Sequence, residues 1–312
     1  MPPDDTAPPA VIVYGTVCLD QLVRLDSNGN PLGLPQEIPG GEAFNTATAL
    51  AGWGVPVLLA GTALGVSLES NRLRLLLHDP HFGLPRRHIP TLPTAVTPIC
   101  TIRISPDGDR VMRGQGYAEA VAPPPLPDSV FAGRPIFAVD PNLREAAVSE
   151  ALRAASFGCP MVAMDCQQHP DVCRAAYLVQ TSRESLTRFP MPGRPPASLE
   201  ASAEALLALG APRVIVTDGE RGGITAKRLE NGDMIFGRFP AAPVGRVVVD
   251  TTGAGDAFRA GLCWALLQTP GPLPLTRLVR VAGAAASLHV QVLGSGSRTA
   301  LKDVLRLADS MA

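Results

Sequence analysis

The string Asp250-Thr251-Thr252-Gly253-Ala254-Gly255-Asp256-Ala257-Phe258 sets an anion-binding turn directly against a carboxylate. Gly253 and Gly255 let successive backbone N–H groups converge on one point. A helix starting there adds unpaired amides and the positive end of its dipole. An acid at a site built for anions would repel a resident phosphate. Asp256 makes sense if it faces an incoming hydroxyl and takes its proton while the amides absorb charge developing on the transferred group. The residues therefore outline phosphoryl transfer to an alcohol. Taken alone, Gly-Ala-Gly-Asp is equally a loop closed by a capping aspartate.

Several elements must position these groups. Val247-Val248-Val249 is a β-branched run that reads as a strand, and Ala257 to Gln268 has apolar residues at helical spacing, so the segment reads strand, tight turn, helix. Far upstream, Val11 to Tyr14 reads as a buried strand, followed by Gly15 and, five residues later, Asp20. In Pro39 to Gly54, Gly40-Gly41 permits close approach of the backbone to a polyhydroxyl ligand. Asn45 offers donors and acceptors on an Ala-rich helix ending at Gly52 or Gly54. Val214-Ile215-Val216 is an apolar strand running into the turn Thr217-Asp218-Gly219-Glu220-Arg221-Gly222.

The nine-residue string resembles the C-terminal signature of the ribokinase-like (PfkB) sugar kinase family, and Pro39 to Gly54 resembles its N-terminal signature. Gly15 with Asp20 is similar to the family's opening strand, and Thr217-x-Gly219-x-x-Gly222 to its nucleotide loop. The resemblance implies an ATP- and Mg²⁺-dependent kinase with Asp256 as catalytic base and the amides of Gly253, Ala254 and Gly255 as anion hole. It puts Asp20, Gly40, Gly41 and Asn45 on the acceptor, and Thr217, Gly219, Gly222 and Thr252 near the nucleotide. It further implies a monovalent cation (K⁺) site formed with Asp250 and carbonyls near Gly294 to Ser297, where an ion would stiffen the anion hole.

Two departures stand out. Where the family carries Asn-x-x-Glu to order magnesium-bound water, the preferred register here gives Ser182 and Ser185; a register starting at Thr181 offers Glu184 as the acid acting through water. Asp140-Pro141-Asn142-Leu143-Arg144 resembles a string found in several sugar kinases of the family, but there it follows a later strand, which here looks like Met161 to Asp165. Asp140 to Arg144 is accordingly expected to be a strand end and helix start without a catalytic role.

Strand and helix signals alternate from Val11 to Ala308, which argues for an α/β fold with a mainly parallel central sheet and helices on both faces. The expectation is one ribokinase-like domain over 1–312, Rossmann-like and three-layered, with a small β-sheet lid built from about 17–38 and 94–118. A hairpin signal between Thr97 and Arg113 sits in the lid region. A lid would exclude water, the competing acceptor. In the family such lid sheets often pair, so a homodimer through the lid is expected.

The chain has 312 residues with 27 basic against 28 acidic, a balance that gives no field for nucleic acid or an anionic membrane. Its apolar runs are interrupted well short of the ~20 residues that span a bilayer, and MPPDDTAPPA does not read as a signal peptide, so a cytoplasmic protein is expected. Six scattered cysteines read as reduced thiols; only Cys166, His169 and Cys173 come near metal-ligand spacing. The acceptor class stays open between a sugar or sugar-like molecule and a nucleoside, with Phe44, Tyr14 and Tyr117 the aromatics available to a base. The altered magnesium segment also leaves open a catalytically weak, metabolite-binding member.

Overall fold

A computed structural model describes residues 8–84, 86–106, 110–121, 123–140, 142, 145–191, 198–268, 274–292 and 299–311. The N-terminal half contains β1 (Val11–Tyr14), β2 (Cys18–Arg24), β3 (Gln36–Gly40), α1 (Glu42–Gly52), β4 (Val57–Ala60), α2 (Leu68–Leu77), β5 (Ile99–Ile104) and β6 (Arg110–Gln115). There follow β7 (Ile136–Val139), α3 (Glu145–Ser156), β8 (Met161–Met164), α4 (Pro170–Ala175), β9 (Leu178–Ser182), α5 (Arg183–Arg188), α6 (Leu199–Ala208) and β10 (Arg213–Thr217). The chain closes with β11 (Gly223–Arg228), β12 (Met234–Phe239), α7 (Ala254–Leu267), α8 (Leu275–His289) and α9 (Leu301–Ser310).

Eight strands form the main sheet in the order β12-β11-β10-β9-β8-β7-β1-β4. From β10 to β4 every pairing is parallel; β11 and β12 add an antiparallel margin. Because successive side chains of a strand point to opposite faces, β1 feeds two cores. Val11 and Val13 pack with α1, α7 and α8, whereas Ile12 and Tyr14 pack with α3 on the other face. A strand covered on both faces can be wholly apolar, and all four residues are buried. The expected three-layer architecture is therefore present. In such sheets the carboxyl ends of the parallel strands form one rim, the usual place for a ligand.

A second sheet, ordered β3-β2-β5-β6, stands apart from the first. Its β5–β6 hairpin matches the expectation, with Cys100 opposite Gly114; the turn residues 107–109 lie outside the described residues. β3 was not evident in the sequence because it contains Pro39, which a strand tolerates at an edge, and β3 is an edge. It runs straight into α1, so the smaller sheet and the Asn45 helix are one continuous piece.

One expectation fails. Val247-Val248-Val249 forms no strand, and Val247 is 81% exposed. A β-branched run becomes a strand only beside a partner. Here the amides of Val249 and Asp250 instead both donate to the carbonyl of Val290, just past α8, at 2.7 and 3.1 Å. The helix after the turn begins earlier than its apolar pattern, at Ala254, which brings Gly255 and Asp256 into its first turn.

Candidate active site

The first turn of α7 is left open at its positive end. Gly253, its N-cap, has φ 80° and contributes no side chain. A Cβ there would come 3.0 Å from Nε2 of His289 and 3.5 Å from Nδ2 of Asn45, so both backbone and space require glycine. Among the described residues the N–H groups of Gly253 and Gly255 find no acceptor, while that of Ala254 makes a long bond of 3.3 Å to the Thr251 carbonyl. Two of the three expected anion-hole amides are thus free, and the third is weakly held.

Asp256 sits three residues into this turn and is buried. Its Oδ2 accepts from Asn45 Nδ2 at 2.8 Å, and its carbonyl accepts from Thr46 Oγ1 at 3.3 Å. One turn on, Arg259 is fully buried with Nη2 4.0 Å from Asp256 Oδ1. The guanidinium donates from Nε and Nη2 to Thr46 Oγ1 at 3.0 and 2.8 Å, and from Nη2 to the Glu42 carbonyl at 2.7 Å. Thr46 accepts twice from Arg259 and donates once to Asp256, using its whole hydrogen-bonding capacity. Burial pushes the Asp256 carboxyl up to about 7, helped by Asp140 and Asp165 and opposed by Arg259 and Asn45. Three buried polar atoms around it find no partner among the described residues: Asn45 Oδ1, Arg259 Nη1 and Gln180 Oε1. Buried polar atoms are rarely orphaned, so a ligand that supplies a donor to Asn45 fits here.

Asp20, expected on the acceptor, is buried on β2 against Gly40, where a Cβ would lie 2.0 Å from its Oδ2. The Cys18 thiol donates to it at 3.2 Å, and burial raises its carboxyl to about 6. Gly41, at φ 97°, caps α1 against the Thr16 carbonyl.

The expectation for Asp140 holds for its backbone. Asp140 does end β7, and α3 begins at Glu145, but its carboxylate turns into the site; Pro141, Leu143 and Arg144 lie outside the described residues. It accepts from Thr16 N at 3.2 Å and Thr16 Oγ1 at 3.3 Å, in space that only Gly15 leaves open, since a Cβ there would fall 1.8 Å from Asp140 Oδ2. Glu42, first residue of α1, is pushed up to about 8 by burial and by the neighbouring Asp140 and Asp256. Asp165, after β8, is likewise raised by burial and takes φ 52°, a conformation that costs a non-glycine residue energy and concentrates at functional sites. Its Oδ1 accepts from Thr181 Oγ1 at 2.7 Å, and Ser185 also hydrogen-bonds to it.

Sequence reasoning missed Asp140, Asp165 and Arg259. Each had a signal: an acid immediately after a short buried strand in the first two cases, and a charged residue inside the apolar stretch from Ala257 to Leu267 in the third.

Of the residues expected near the nucleotide, Thr217 ends β10, its hydroxyl donating to the Thr181 carbonyl at 3.4 Å, and Gly219 opens a 3₁₀ turn that Gly222 closes. Asp218 between them is paired with Arg221 at 2.7 Å and Arg183 at 3.3 Å. Ser182 caps α5 by accepting from Ser185 N at 3.0 Å, whereas Glu184 is exposed on that helix. Asp250 is buried and accepts from Thr252 N at 2.7 Å; the Thr252 carbonyl accepts from His289 Nε2, also at 2.7 Å. Gly294 to Ser297 lie outside the described residues. Phe44 and Tyr14 are core residues, Phe44 edge-on to Phe82 and Tyr14 stacked on Phe137, which removes them as partners for a base; Tyr117 alone of the three lies by the smaller sheet, against Gly114. Among the described residues no cluster of three or more His, Cys, Asp or Glu is arranged to hold a metal ion, and no helix is long and apolar enough to cross a membrane.

Comparison with known proteins bears on the family and the fold. The family model for pfkB family carbohydrate kinases matches residues 9–301. A ribokinase from Bacillus subtilis (strain 168) is 25% identical over 305 residues, covering 91% of this chain and 94% of that protein. The structure of Arabidopsis thaliana ribokinase complexed with ribose and ATP superposes with a TM-score of 0.77 at 22% identity, covering 97% of this chain and 99% of that one. A Burkholderia thailandensis nucleoside kinase in complex with inosine gives 0.72 at 19%, covering 96% and 97%.

The raised carboxyls carry a stability consequence. Between the unfolded value near 4 and folded values of about 6 to 8, the native state holds protons that the unfolded chain has shed, so the contribution of these groups to stability falls as pH rises through that window. Glu42→Gln should therefore melt above the wild type at about pH 9, with the gap closing near pH 4. Scanning calorimetry across this range checks it, and a gap that ignores pH would refute it.

Proposed function

The chain belongs to the pfkB family of carbohydrate kinases, and from that premise we propose that it transfers the γ-phosphoryl group of ATP to a hydroxyl of a sugar or sugar-like molecule. The observation that carries this reading is the buried Asp256 carboxylate, held by Asn45 at 2.8 Å beside the unpaired amides of Gly253 and Gly255. An acceptor hydroxyl donating to Asp256 passes its proton to that carboxylate, and the amides stabilise the charge on the transferring group. Asp20 and Asp140 accept hydrogen bonds from the remaining hydroxyls, and Asn45 Oδ1 takes one more. Thr217, Gly219, Gly222 and Thr252 line the nucleotide side, Asp250 is the acid for a monovalent cation, and the smaller sheet serves as the lid and the dimer surface.

Magnesium, when bound with the nucleotide, adds positive charge at the phosphate oxygens. The donor set fits through Asp165: Ser185, at the place of the family's glutamate, hydrogen-bonds to that carboxyl, so the acid comes from β8 while Glu184 faces outward. Asp20, Glu42 and Asp140 together disfavour acceptors carrying phosphate or carboxylate. Loss of Phe44 and Tyr14 as stacking partners favours a sugar over a nucleoside.

A coupled ADP-release screen over pentoses, hexoses, sugar phosphates, sugar acids, inositols and nucleosides tests the reading. Uncharged polyols should turn over best. Asp256→Asn should lower turnover roughly 10²- to 10⁴-fold while ATP still binds; near-normal turnover in that variant removes Asp256 as base. Silence across the panel, with thermal stabilisation by one compound, supports a binding protein instead. With the productive acceptor, kcat/KM should rise with pH through about 7 as Asp256 loses its proton. Arg259→Met should move that midpoint to higher pH, because the nearby positive charge that favours the carboxylate is gone.

A further inference from the structure

We infer that His289 is a positioning residue for the anion hole: from the end of α8 it aims the Gly253 amide by holding the carbonyl of the same peptide group. Thr252 O can only accept, so the 2.7 Å contact fixes the proton on Nε2 of His289. The Thr252–Gly253 peptide is trans, and its C=O and N–H point in opposite directions from one rigid plane. Turning the carbonyl toward His289 turns the Gly253 N–H away from it, toward the side where that amide has no acceptor among the described residues. The imidazole is 1% exposed and packs where a Cβ on Gly253 would be, so the ring also limits how far the turn can shift.

The adjoining residue completes the clamp. Val290 O receives the amides of Val249 and Asp250, so two consecutive residues at the end of α8 hold both ends of the segment leading into the turn. Asp250 fixes its middle through Thr252 N. His289 thereby gives the turn, through a protein N–H, the stiffness otherwise assigned to a bound cation. Its other ring nitrogen, Nδ1, is buried without a partner among the described residues, so the Thr252 bond alone sets the tautomer.

The kinetic consequence rests on the phosphoryl-transfer reading. Glutamine can place a side-chain N–H near the position of Nε2; asparagine falls short and alanine has none. With the acceptor found by the screen, His289→Gln should keep kcat within about 3-fold, whereas His289→Asn and His289→Ala should lose about 10- to 100-fold in kcat, with the acceptor KM unchanged. Equal kcat in all four proteins, or a loss in the glutamine variant as large as in alanine, overturns the inference. A second readout needs no turnover. Long-range ¹H–¹⁵N correlation on the wild-type protein should show His289 protonated at Nε2 and bare at Nδ1. The opposite tautomer overturns the assignment whatever the protein phosphorylates, and absence of turnover with the expected tautomer counts against the kinase reading alone.

Discussion

The site depends on keeping a carboxylate buried without losing its charge. An ion taken out of water costs several kcal/mol unless paired and hydrogen-bonded, and Asp256 meets that demand only where α1 and α7 touch. Asn45 and Thr46 come from α1, and Asp256 and Arg259 lie one turn apart on α7. The guanidinium ties the two helices by bonding both to the Thr46 side chain and to the Glu42 backbone. Removing one partner of a buried charge pair typically costs about 3–5 kcal/mol, so this junction is as much a structural seam as a chemical centre. The open amides of α7 and the glycine turn before it lie at one end of that seam, held from the other side by the end of α8.

A formal charge of −1 over 312 residues conceals a steep local imbalance. Asp20, Glu42, Asp140, Asp165 and Asp256 all have raised carboxyls, and the buried Arg259 favours the charged form of three of them, Asp140, Asp165 and Asp256. Raised carboxyls keep their protons to higher pH, which eases the crowding. A bound polyol would relieve it by donating hydroxyl hydrogen bonds, so acceptor binding and proton release are linked through the same groups. Overall composition shows only a balanced charge and could not reveal this concentration.

The legible parts of the sequence were those whose chemistry is local. Gly253 and Asp256 announce themselves by spacing, because a left-handed turn and an acid three residues into a helix are one short stretch of chain. The alternation of strand and helix announced the layers for a similar reason, since burial on both faces leaves β1 no polar residue. What stayed hidden depends on partners far along the chain. Val247 to Val249 carry strand propensity but meet the end of α8 rather than a neighbouring strand. Asp140 was judged by the string it belongs to and not by the rim on which β7 places it. Arg259 needs Thr46, 213 positions away, before its burial makes sense. An acid beside Ser185 appears only when Asp165 is brought to it across β8 and β9.

The seam between α1 and α7 also sets an order of events during synthesis. Asn45 and Asp256 are 211 positions apart, so at roughly 5–20 residues per second the ribosome needs about 10–40 s to deliver the second after the first. Throughout that interval α1 has an apolar face without the helix that will cover it, and the Glu42 carbonyl and Thr46 hydroxyl lack the arginine that will bond to them. The nascent chain can lay down β1, β4, β7 and β8 in turn, yet the layer containing α7 and α8 closes only at the end. The last quarter of the message therefore decides whether the first quarter stays soluble, which makes an interrupted chain a substrate for chaperones or proteases rather than a partly working protein.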